Sequence, residues 1–160
     1  ARHLQDSMTP ALNKPLPDFE ALATSGVKFT PQAYAGQSIV LYFYPKDDTS
    51  GCTTEACEFR DSWRAVQAAG AVVLGVSPDG VASHQKFKKK YELPFTLLAD
   101  EDHAVAEAYG AWGEKSMYGR KYFGVLRKTY IIDARGKIAR VFDKVKPRGH
   151  AAEVLAALSG

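Results

Sequence analysis

Cysteine is scarce in this chain of 160 residues, which contains two, and the long apolar runs of membrane proteins are missing. No stretch approaches the roughly 18 continuous apolar residues of a membrane span, so we expect no membrane insertion. No Pro-, Gly- or Ser-rich linker divides the chain, and no segment repeats. A chain of this length can bury about two-thirds of its unfolded surface around one core. We therefore predict a single domain over residues 1–160.

Charge of one sign is also scarce, since the formal net charge is +3. The basic residues are scattered apart from one run on a predicted exposed helix, which consists of Lys86, Lys88, Lys89 and Lys90. A nucleic-acid-binding protein needs a larger basic footprint and a recognisable reading motif. We interpret the run as a solvated helix face and expect no nucleic-acid partner.

A secretory signal is missing from the first residues of the chain. Residues 1–10 mix charged and polar side chains and contain no apolar core of the kind that a signal peptide has. On this ground we expect a cytoplasmic protein. Most free cysteines in such proteins are small buried hydrophobic residues, and any other use of the two thiols needs an argument of its own.

Apolar periodicity predicts alternating strands and helices in the first part of the chain. Short runs rich in β-branched and aromatic residues, at 38–44 and 71–76, are typical of buried strands. Between them, residues 53–69 have apolar side chains at helical spacing, and Gly70 is a suitable helix stop. Because a helix joins the two strands, we expect them to be parallel, with a right-handed crossover.

The middle of the chain continues this alternation. A helix should run as far as Tyr91, with capping residues at 77–79. A short strand at 95–99 and a short helix at 100–109 follow. Residues 110–124 are rich in glycine and aromatic residues but show no period, and we predict a long loop there.

The C-terminal part departs from strict alternation. Residues 128–133 and 137–145 predict an antiparallel hairpin, and residues 149–158 predict a closing amphipathic helix. This order of elements is typical of an α/β protein with a thioredoxin-like fold, in which helices flank a mixed central sheet.

Cys52 and Cys57 lie where a strand leads into a helix, which is an informative position for a thiol. The first backbone N–H groups of a helix have no partners inside it, and the helix dipole is positive there. Both effects stabilise a thiolate, so we expect a lowered pKa for Cys52. The polar approach of Thr49, Ser50 and Gly51 favours a reactive thiol over a structural one.

Zinc binding is another common use of paired cysteines. A tetrahedral zinc site needs three or four protein ligands at close spacing, and no third cysteine is present. Each scattered histidine is interpreted as a surface or capping residue: His3, His84, His103 and His150. We expect neither a metal nor an organic cofactor.

The spacing of the two cysteines indicates a conformational change. Residues five apart in a regular α-helix have Cα atoms about 8.6 Å apart, whereas a disulfide requires less than about 7 Å. Cys52 and Cys57 can therefore bond only if the first turns of the helix unwind. This suits a two-step cycle in which Cys52 is oxidised to a sulfenic acid and then condenses with a second thiol, for which Cys57 is the candidate within the chain.

Several segments resemble one enzyme family. Residues 45–52, PKDDTSGC, fit the pattern Pro-x-x-x-Thr/Ser-x-x-Cys, which resembles the active-site signature of the peroxiredoxins. Residues 51–57, GCTTEAC, are similar to the subgroup called peroxiredoxin Q or bacterioferritin comigratory protein. The resemblance extends to residues 110–115, to Arg127 before the strand that ends at 131–133, and to the final helix.

The resemblance implies roles for five residues: Cys52 as the peroxidatic cysteine, Cys57 as the resolving cysteine, Thr49 as a hydroxyl partner of thiolate and peroxide, Pro45 as a shield, and Arg127 as the cationic partner. Apart from the resemblance, Glu55 is a candidate for orienting the arginine. The chemistry agrees, because attack on an O–O bond needs a thiolate and donors for the charge that develops on the leaving oxygen.

Taken alone, these residues also have simpler interpretations. Thr49 can cap the helix, Arg127 can be a surface charge at a strand edge, and Glu55 can complement the positive end of the helix. Under either interpretation, the start of the helix stabilises a Cys52 thiolate.

We therefore expect a thiol peroxidase that reduces hydrogen peroxide or an alkyl hydroperoxide and whose intramolecular disulfide is reduced by a thioredoxin-type donor. The resemblance also favours a monomer. Two other functions remain open at this point. A thiol-disulfide reductase would be marked by a C-x-x-C spacing, which the chain lacks. A non-enzymatic redox sensor would use the helix switch to change partners, and it would not turn over peroxide.

Overall fold

A mixed β-sheet with helices packed on it forms the centre of the computed structural model, which describes residues 21–24, 28–29 and 36–159. The strands are β1 Ala21–Ala23, β2 Lys28–Phe29, β3 Ser38–Phe43, β4 Ala71–Ser77, β5 Thr96–Ala99, β6 Trp112–Met117, β7 Arg120–Val125, β8 Thr129–Ile132 and β9 Ile138–Phe142. The helices are α1 Ser50–Asp61, α2 Trp63–Ala68, α3 Val81–Tyr91, α4 Ala104–Ala108 and α5 His150–Ser159. The expectations for residues 1–10 and for His3 lie outside the described residues.

Seven of these strands form the main sheet, in the order β2-β1-β5-β4-β3-β8-β9. The β3–β4 and β4–β5 pairs are parallel, and the remaining pairs are antiparallel. The predicted parallel pair and the predicted C-terminal hairpin are therefore confirmed, as is the α/β class with a mixed sheet.

The alternation of side chains along β3 divides the core between the two faces of the sheet. Ile39, Leu41 and Phe43 point to a cluster that includes residues of α4 and Val125. The intervening side chains, with Tyr44 just beyond β3, point to a cluster on the other face, which α1, α2, α3 and α5 cover. Cys52 belongs to this second cluster.

Three predicted features are wrong. The helix predicted over 53–69 begins earlier, at Ser50, and is interrupted at Ser62, which separates α1 from α2. The predicted caps at 77–79 do not cap α3, whose N-cap is Gly80. The predicted loop at 110–124 contains the β6–β7 hairpin, whose two-residue turn has positive φ angles at Tyr118 (53°) and Gly119 (78°).

Two histidines are also placed differently from the prediction. His84 and His150 were expected at the surface or at caps, but both side chains are fully buried. His84 lies on the buried face of α3, three residues before Phe87, so helical spacing turns both side chains to the core. His103 does occupy the N-cap position of α4, as expected for a capping residue.

The run of lysines on α3 matches its prediction, since Lys86, Lys89 and Lys90 are exposed and Lys88 is half-buried. Among the described residues, no helix has both the length and the apolar composition that crossing a membrane requires.

Candidate active site

The loop between β3 and α1 and the first turn of α1 form the candidate site. Pro45 follows β3 and is half-buried, and Thr49 is the N-cap residue of α1, with an extended backbone. Cys52 is therefore the third residue of the helix, where backbone N–H groups have no partner within the helix. Its side chain is buried, with 1% of the residue exposed.

Arg127 reaches this thiol from the segment between β7 and β8. Its Nη2 lies 3.0 Å from Cys52 Sγ and its Nη1 donates to Glu55 Oε1, also at 3.0 Å. The Arg127 side chain is mostly buried, with 20% of it exposed, and the Glu55 side chain is 1% exposed. The structure thus brings Cys52, Glu55 and Arg127 together and excludes a surface position for the arginine.

Gly51 is the residue that lets the arginine approach. A Cβ atom at this position would lie 3.0 Å from Arg127 Nη2 and 3.3 Å from Pro147 Cγ. Contacts this short require a neighbour to move, and the nearest neighbour is the nitrogen that contacts the thiol. The glycine is therefore needed for space, because its backbone is not in the left-handed region.

Burial controls the acid–base properties of Glu55. It raises the pKa of the Glu55 carboxyl group to about 8, against the opposing influence of the Arg127 charge and hydrogen bond. In the part of the chain that the structure describes, Glu55 Oε2 and Tyr42 Oη are the buried polar side-chain atoms that have no hydrogen-bond partner. Tyr42 also has a pKa well above its ordinary value, mainly through burial and then through the charges of Glu55 and Cys52.

A second cation lies close to this group. Lys115, in β6, donates from Nζ to the backbone carbonyl oxygen of Val125 at 2.9 Å. Its pKa is lowered, first by burial and then by the positive charge of Arg127, while Cys52 has the opposite effect. The sequence did not predict a role for Lys115. The residue lies in the segment 110–115 that resembles the family, but β6 was not predicted as a strand.

Thr49 is positioned differently from the other candidate residues. Its hydroxyl group donates to the backbone carbonyl oxygen of Lys46 at 3.0 Å and makes no capping hydrogen bond. Its own carbonyl oxygen accepts the N–H of Thr53, which closes the first turn of α1. The lone pairs of the Thr49 hydroxyl oxygen are thus left for another donor.

Cys57 lies in the same helix as Cys52, five residues further on. It is half-buried, and neither cysteine forms a disulfide. Because α1 is continuous from Ser50 to Asp61, the two cysteines occupy the helical arrangement in which they cannot bond directly.

Sequence reasoning missed a group of residues behind the loop. Asp47 is 7% exposed and is bonded to His84 and Tyr44, both of which are fully buried. A usable signal was the spacing of His84 and Phe87, which places the histidine on the apolar face of α3.

Comparisons with known proteins agree with this arrangement. The AhpC/TSA family profile matches residues 12–141. Peroxiredoxin Bcp of Bacillus subtilis is 46% identical over 151 residues, which cover 94% of this chain and 96% of that protein. Peroxiredoxin Bcp of Escherichia coli K12 is 44% identical over 134 residues, which cover 84% and 86%.

A solved structure is similar throughout most of the chain. It is that of the bacterioferritin comigratory protein of Xanthomonas campestris, studied for its alkyl peroxide reduction activity. The two chains superpose with a TM-score of 0.84 and are 40% identical, and the match covers 88% of this chain and 90% of that chain.

Proposed function

Because the chain belongs to the AhpC/TSA family and is a thiol peroxidase of the Bcp or peroxiredoxin Q type, we propose that Cys52 is the thiol that attacks the peroxide and that Cys57 resolves the product. The substrates would be hydrogen peroxide and alkyl hydroperoxides, the latter as in the Xanthomonas campestris relative. The observation that carries this proposal is the contact of 3.0 Å between Arg127 Nη2 and Cys52 Sγ at the start of α1.

In the first step, the Cys52 thiolate attacks one oxygen of the peroxide, and the O–O bond breaks. The sulfur is oxidised to a sulfenic acid, and the other oxygen takes up a proton and leaves as water or alcohol. Arg127 stabilises the thiolate before the step and can donate to the negative charge that develops on the leaving oxygen. Glu55 holds the other arm of the guanidinium and so fixes its direction.

Thr49 and Pro45 would complete the peroxide site. The Thr49 hydroxyl group donates to Lys46, so its lone pairs can accept a hydrogen bond from the peroxide. Pro45 is the first residue of the loop, has no N–H group and is half-buried, which suits a residue that shields the sulfur from water.

In the second step, the Cys57 thiol attacks the sulfenic sulfur of Cys52, and water leaves as the disulfide forms. The helical arrangement requires α1 to unwind between the two cysteines first. A thiol reductant then restores both thiols, and we assign this role to a thioredoxin-type dithiol donor.

The cellular compartment and the oligomeric state are part of the same proposal. We place the enzyme in the cytoplasm, where thiol systems keep such donors reduced, and we propose that it acts as a monomer with a single domain. Neither point affects the chemistry of Cys52.

The test compares peroxide consumption by the wild type, Cys52→Ser and Cys57→Ser, each with a thioredoxin and thioredoxin reductase system. We expect turnover in the wild type, none in Cys52→Ser, and no continuous turnover in Cys57→Ser, which should still consume one equivalent of peroxide. Continued turnover in Cys52→Ser would overturn the assignment of Cys52. Undiminished turnover in Cys57→Ser would show that an external thiol resolves the sulfenic acid.

A further inference from the structure

A buried hydrogen-bond network lies behind the active-site loop, outside the group that contacts the reacting sulfur. Its centre is the Asp47 carboxylate in the loop of residues 45–49. Oδ1 accepts from the Tyr44 hydroxyl group at 2.6 Å. Oδ2 is 2.7 Å from His84 Nδ1 and accepts from Ser83 Oγ at 2.8 Å. Three donors thus satisfy a carboxylate that has almost no contact with water.

The His84 ring connects this carboxylate to the sheet. Its Nε2 lies 2.9 Å from the backbone carbonyl oxygen of Leu98 in β5, and its Nδ1 faces Asp47. A carbonyl oxygen only accepts, so Nε2 carries hydrogen. His84 Nδ1 and Asp47 Oδ2 lie 2.7 Å apart, a hydrogen-bond distance that requires a proton between these two atoms as well.

The backbone of the loop is held from a second direction. The Asp47 N–H donates to Asp79 Oδ2 at 2.8 Å, and the same oxygen accepts from Ser77 Oγ at 2.7 Å. The loop is therefore tied to the end of β4 by its backbone and to α3 and β5 by its side chain.

These ties act next to the peroxide site. The Lys46 carbonyl group belongs to the peptide unit that provides the Asp47 N–H, and that carbonyl oxygen accepts from the Thr49 hydroxyl group at 3.0 Å. Fixing the Asp47 N–H thus fixes the acceptor that orients Thr49. The Cys52–Arg127 contact, in contrast, is held by α1 and by Glu55.

We propose that Asp47 and His84 form a buried clamp that positions the active-site loop, and through it the Thr49 hydroxyl group, for the incoming peroxide. The proposal rests on the proposed function of Cys52 and Thr49 and adds two positioning residues that do not touch the substrate. A buried polar pair is a weak source of stability compared with apolar packing. Its use here is to allow one conformation of the loop.

Loss of the clamp should slow peroxide reduction without changing the reactivity of the Cys52 thiolate. Both properties can be measured in the same protein. In a Cys57→Ser background Cys52 is the remaining cysteine. Peroxide reduction in one turnover is measured by competition with a heme peroxidase for hydrogen peroxide. The reactivity of the thiolate itself is measured by alkylation with iodoacetamide, which does not need Thr49.

We expect Asp47→Ala and His84→Phe to lower the rate of reaction with peroxide at least about tenfold, because small misplacements of a positioning group are costly. Alkylation of Cys52 should stay within about twofold of the parent. Asp47→Asn should recover most of the peroxide rate, since its amide oxygen can accept from Tyr44 and its amide nitrogen can donate to a neutral His84.

Lys90→Met is the matched control, because it removes one of the exposed contacts from α3 to the neighbouring Asp48, and its peroxide rate should stay near that of the parent. Unchanged peroxide rates in Asp47→Ala and His84→Phe would overturn the clamp, as would a parallel loss of alkylation or no recovery in Asp47→Asn.

If neither variant folds, Ser83→Ala decides. We expect its peroxide rate to be about threefold lower, from the loss of one donor, and an unchanged rate would contradict the clamp. A parent protein that does not reduce peroxide would instead contradict the proposed function.

Discussion

Arg127 is shared between two acidic groups, the Cys52 thiol and the Glu55 carboxyl group. An ionised carboxylate would cancel much of the guanidinium charge and leave less of it for the sulfur. Burial raises the pKa of Glu55 to about 8, so near neutral pH this carboxyl group is mostly protonated. The positive charge of Arg127 therefore remains available to the Cys52 thiolate and to the leaving oxygen.

The raised pKa of Glu55 leads to a prediction about stability. In the unfolded chain this carboxyl group ionises near its ordinary pKa of 4.5, whereas in the folded chain it ionises near 8. Between these values the native state holds a proton that the unfolded state has lost, so wild-type stability decreases as pH rises. A glutamine at position 55 does not titrate and contributes no such pH dependence.

We therefore expect the stability of Glu55→Gln relative to the wild type to increase by on the order of 3 kcal/mol between about pH 5 and pH 8.5. Urea denaturation of both proteins at the two pH values measures this difference. A difference that does not change with pH would show that Glu55 is ionised throughout the range.

Gly51 allows a prediction about catalysis that is separate from charge. In Gly51→Ala the new methyl group would displace Arg127 Nη2, which now lies 3.0 Å from the position of that Cβ atom. We expect kcat/KM for hydrogen peroxide to fall by about tenfold or more, because a charge-stabilising donor is misplaced. Ser50→Ala, at the exposed neighbouring position, is the control and should keep near wild-type activity. Wild-type activity in Gly51→Ala would mean that the arginine does not need this contact.

At single positions, the sequence was most informative where chemistry restricts the residue type. The cysteine at a helix start and the signature around it predicted Cys52, and the resemblance added Arg127. The buried state of His84 was not predicted, because an isolated histidine gives no sign of its partners. Its three hydrogen-bond partners come from the loop, from β5 and from Tyr44 just beyond β3. Such contacts depend on the packing of the whole sheet.

Among the elements, α1 is the one that must change during the proposed cycle. Its C-terminal half is fixed to its surroundings: Glu58 Oε1 accepts the N–H of Gly149, and Arg60 Nη1 donates to the carbonyl oxygen of Tyr91. The helix then ends before Ser62. Unwinding that reaches Cys57 can therefore be limited to the first turns.

Helix propensity at Thr54 gives a test of this unwinding. The residue lies between the two cysteines, and its side chain bonds only within the first turns of α1, to the Ser50 carbonyl oxygen. Alanine stabilises a helix by about 1 kcal/mol relative to glycine. We expect the sulfenic acid of Thr54→Ala to persist about fivefold longer than that of Thr54→Gly, because unwinding costs more.

The lifetime is measured by trapping with dimedone at intervals after one equivalent of peroxide. The rate of the first step should be similar in the two variants, which serves as the internal control. Equal sulfenic acid lifetimes would indicate that the disulfide forms without unwinding of this part of α1.

The β6–β7 hairpin was missed because its side chains do not alternate between buried and exposed. Along β7, the residues from Arg120 to Phe123 are all exposed, so the period-two pattern of a half-buried strand is absent. The turn is formed by Tyr118 and Gly119 with positive φ angles, and a glycine at the second position was the one available signal. The break at Ser62 was missed because the apolar spacing of a helix continues through it.

At the scale of the whole molecule, the helices on the Cys52 face hold α1 against the sheet. His150, the first residue of α5, is fully buried. Its Nε2 lies 2.8 Å from Thr129 Oγ1 in β8, and its ring packs edge-on against Phe59 of α1 and against Phe142 of β9. One side chain thus joins α5, the sheet and the helix that carries both cysteines.

Burial lowers the pKa of His150, so the folded protein holds this ring neutral to a lower pH than the unfolded chain does. The neutral His150 ring contributes fully to the stability of the folded protein above the ordinary pKa of 6.5, and this contribution is lost as pH falls below that value. We expect the stability of the wild type to decrease more steeply from about pH 7.5 to pH 5 than that of His150→Gln, in which no ring can be protonated. Parallel curves in thermal denaturation would exclude His150 as the titrating group.

The central claim is that Cys52 takes the oxygen of the peroxide and that Cys57 then closes a disulfide onto it. Intact-protein mass spectrometry after one equivalent of hydrogen peroxide, without reductant, tests both steps at once. We predict that the wild type loses two hydrogen atoms, that Cys57→Ser gains one oxygen atom, and that Cys52→Ser keeps its mass. An oxygen atom gained, or a dimer formed, by Cys52→Ser at the wild-type rate would contradict the account.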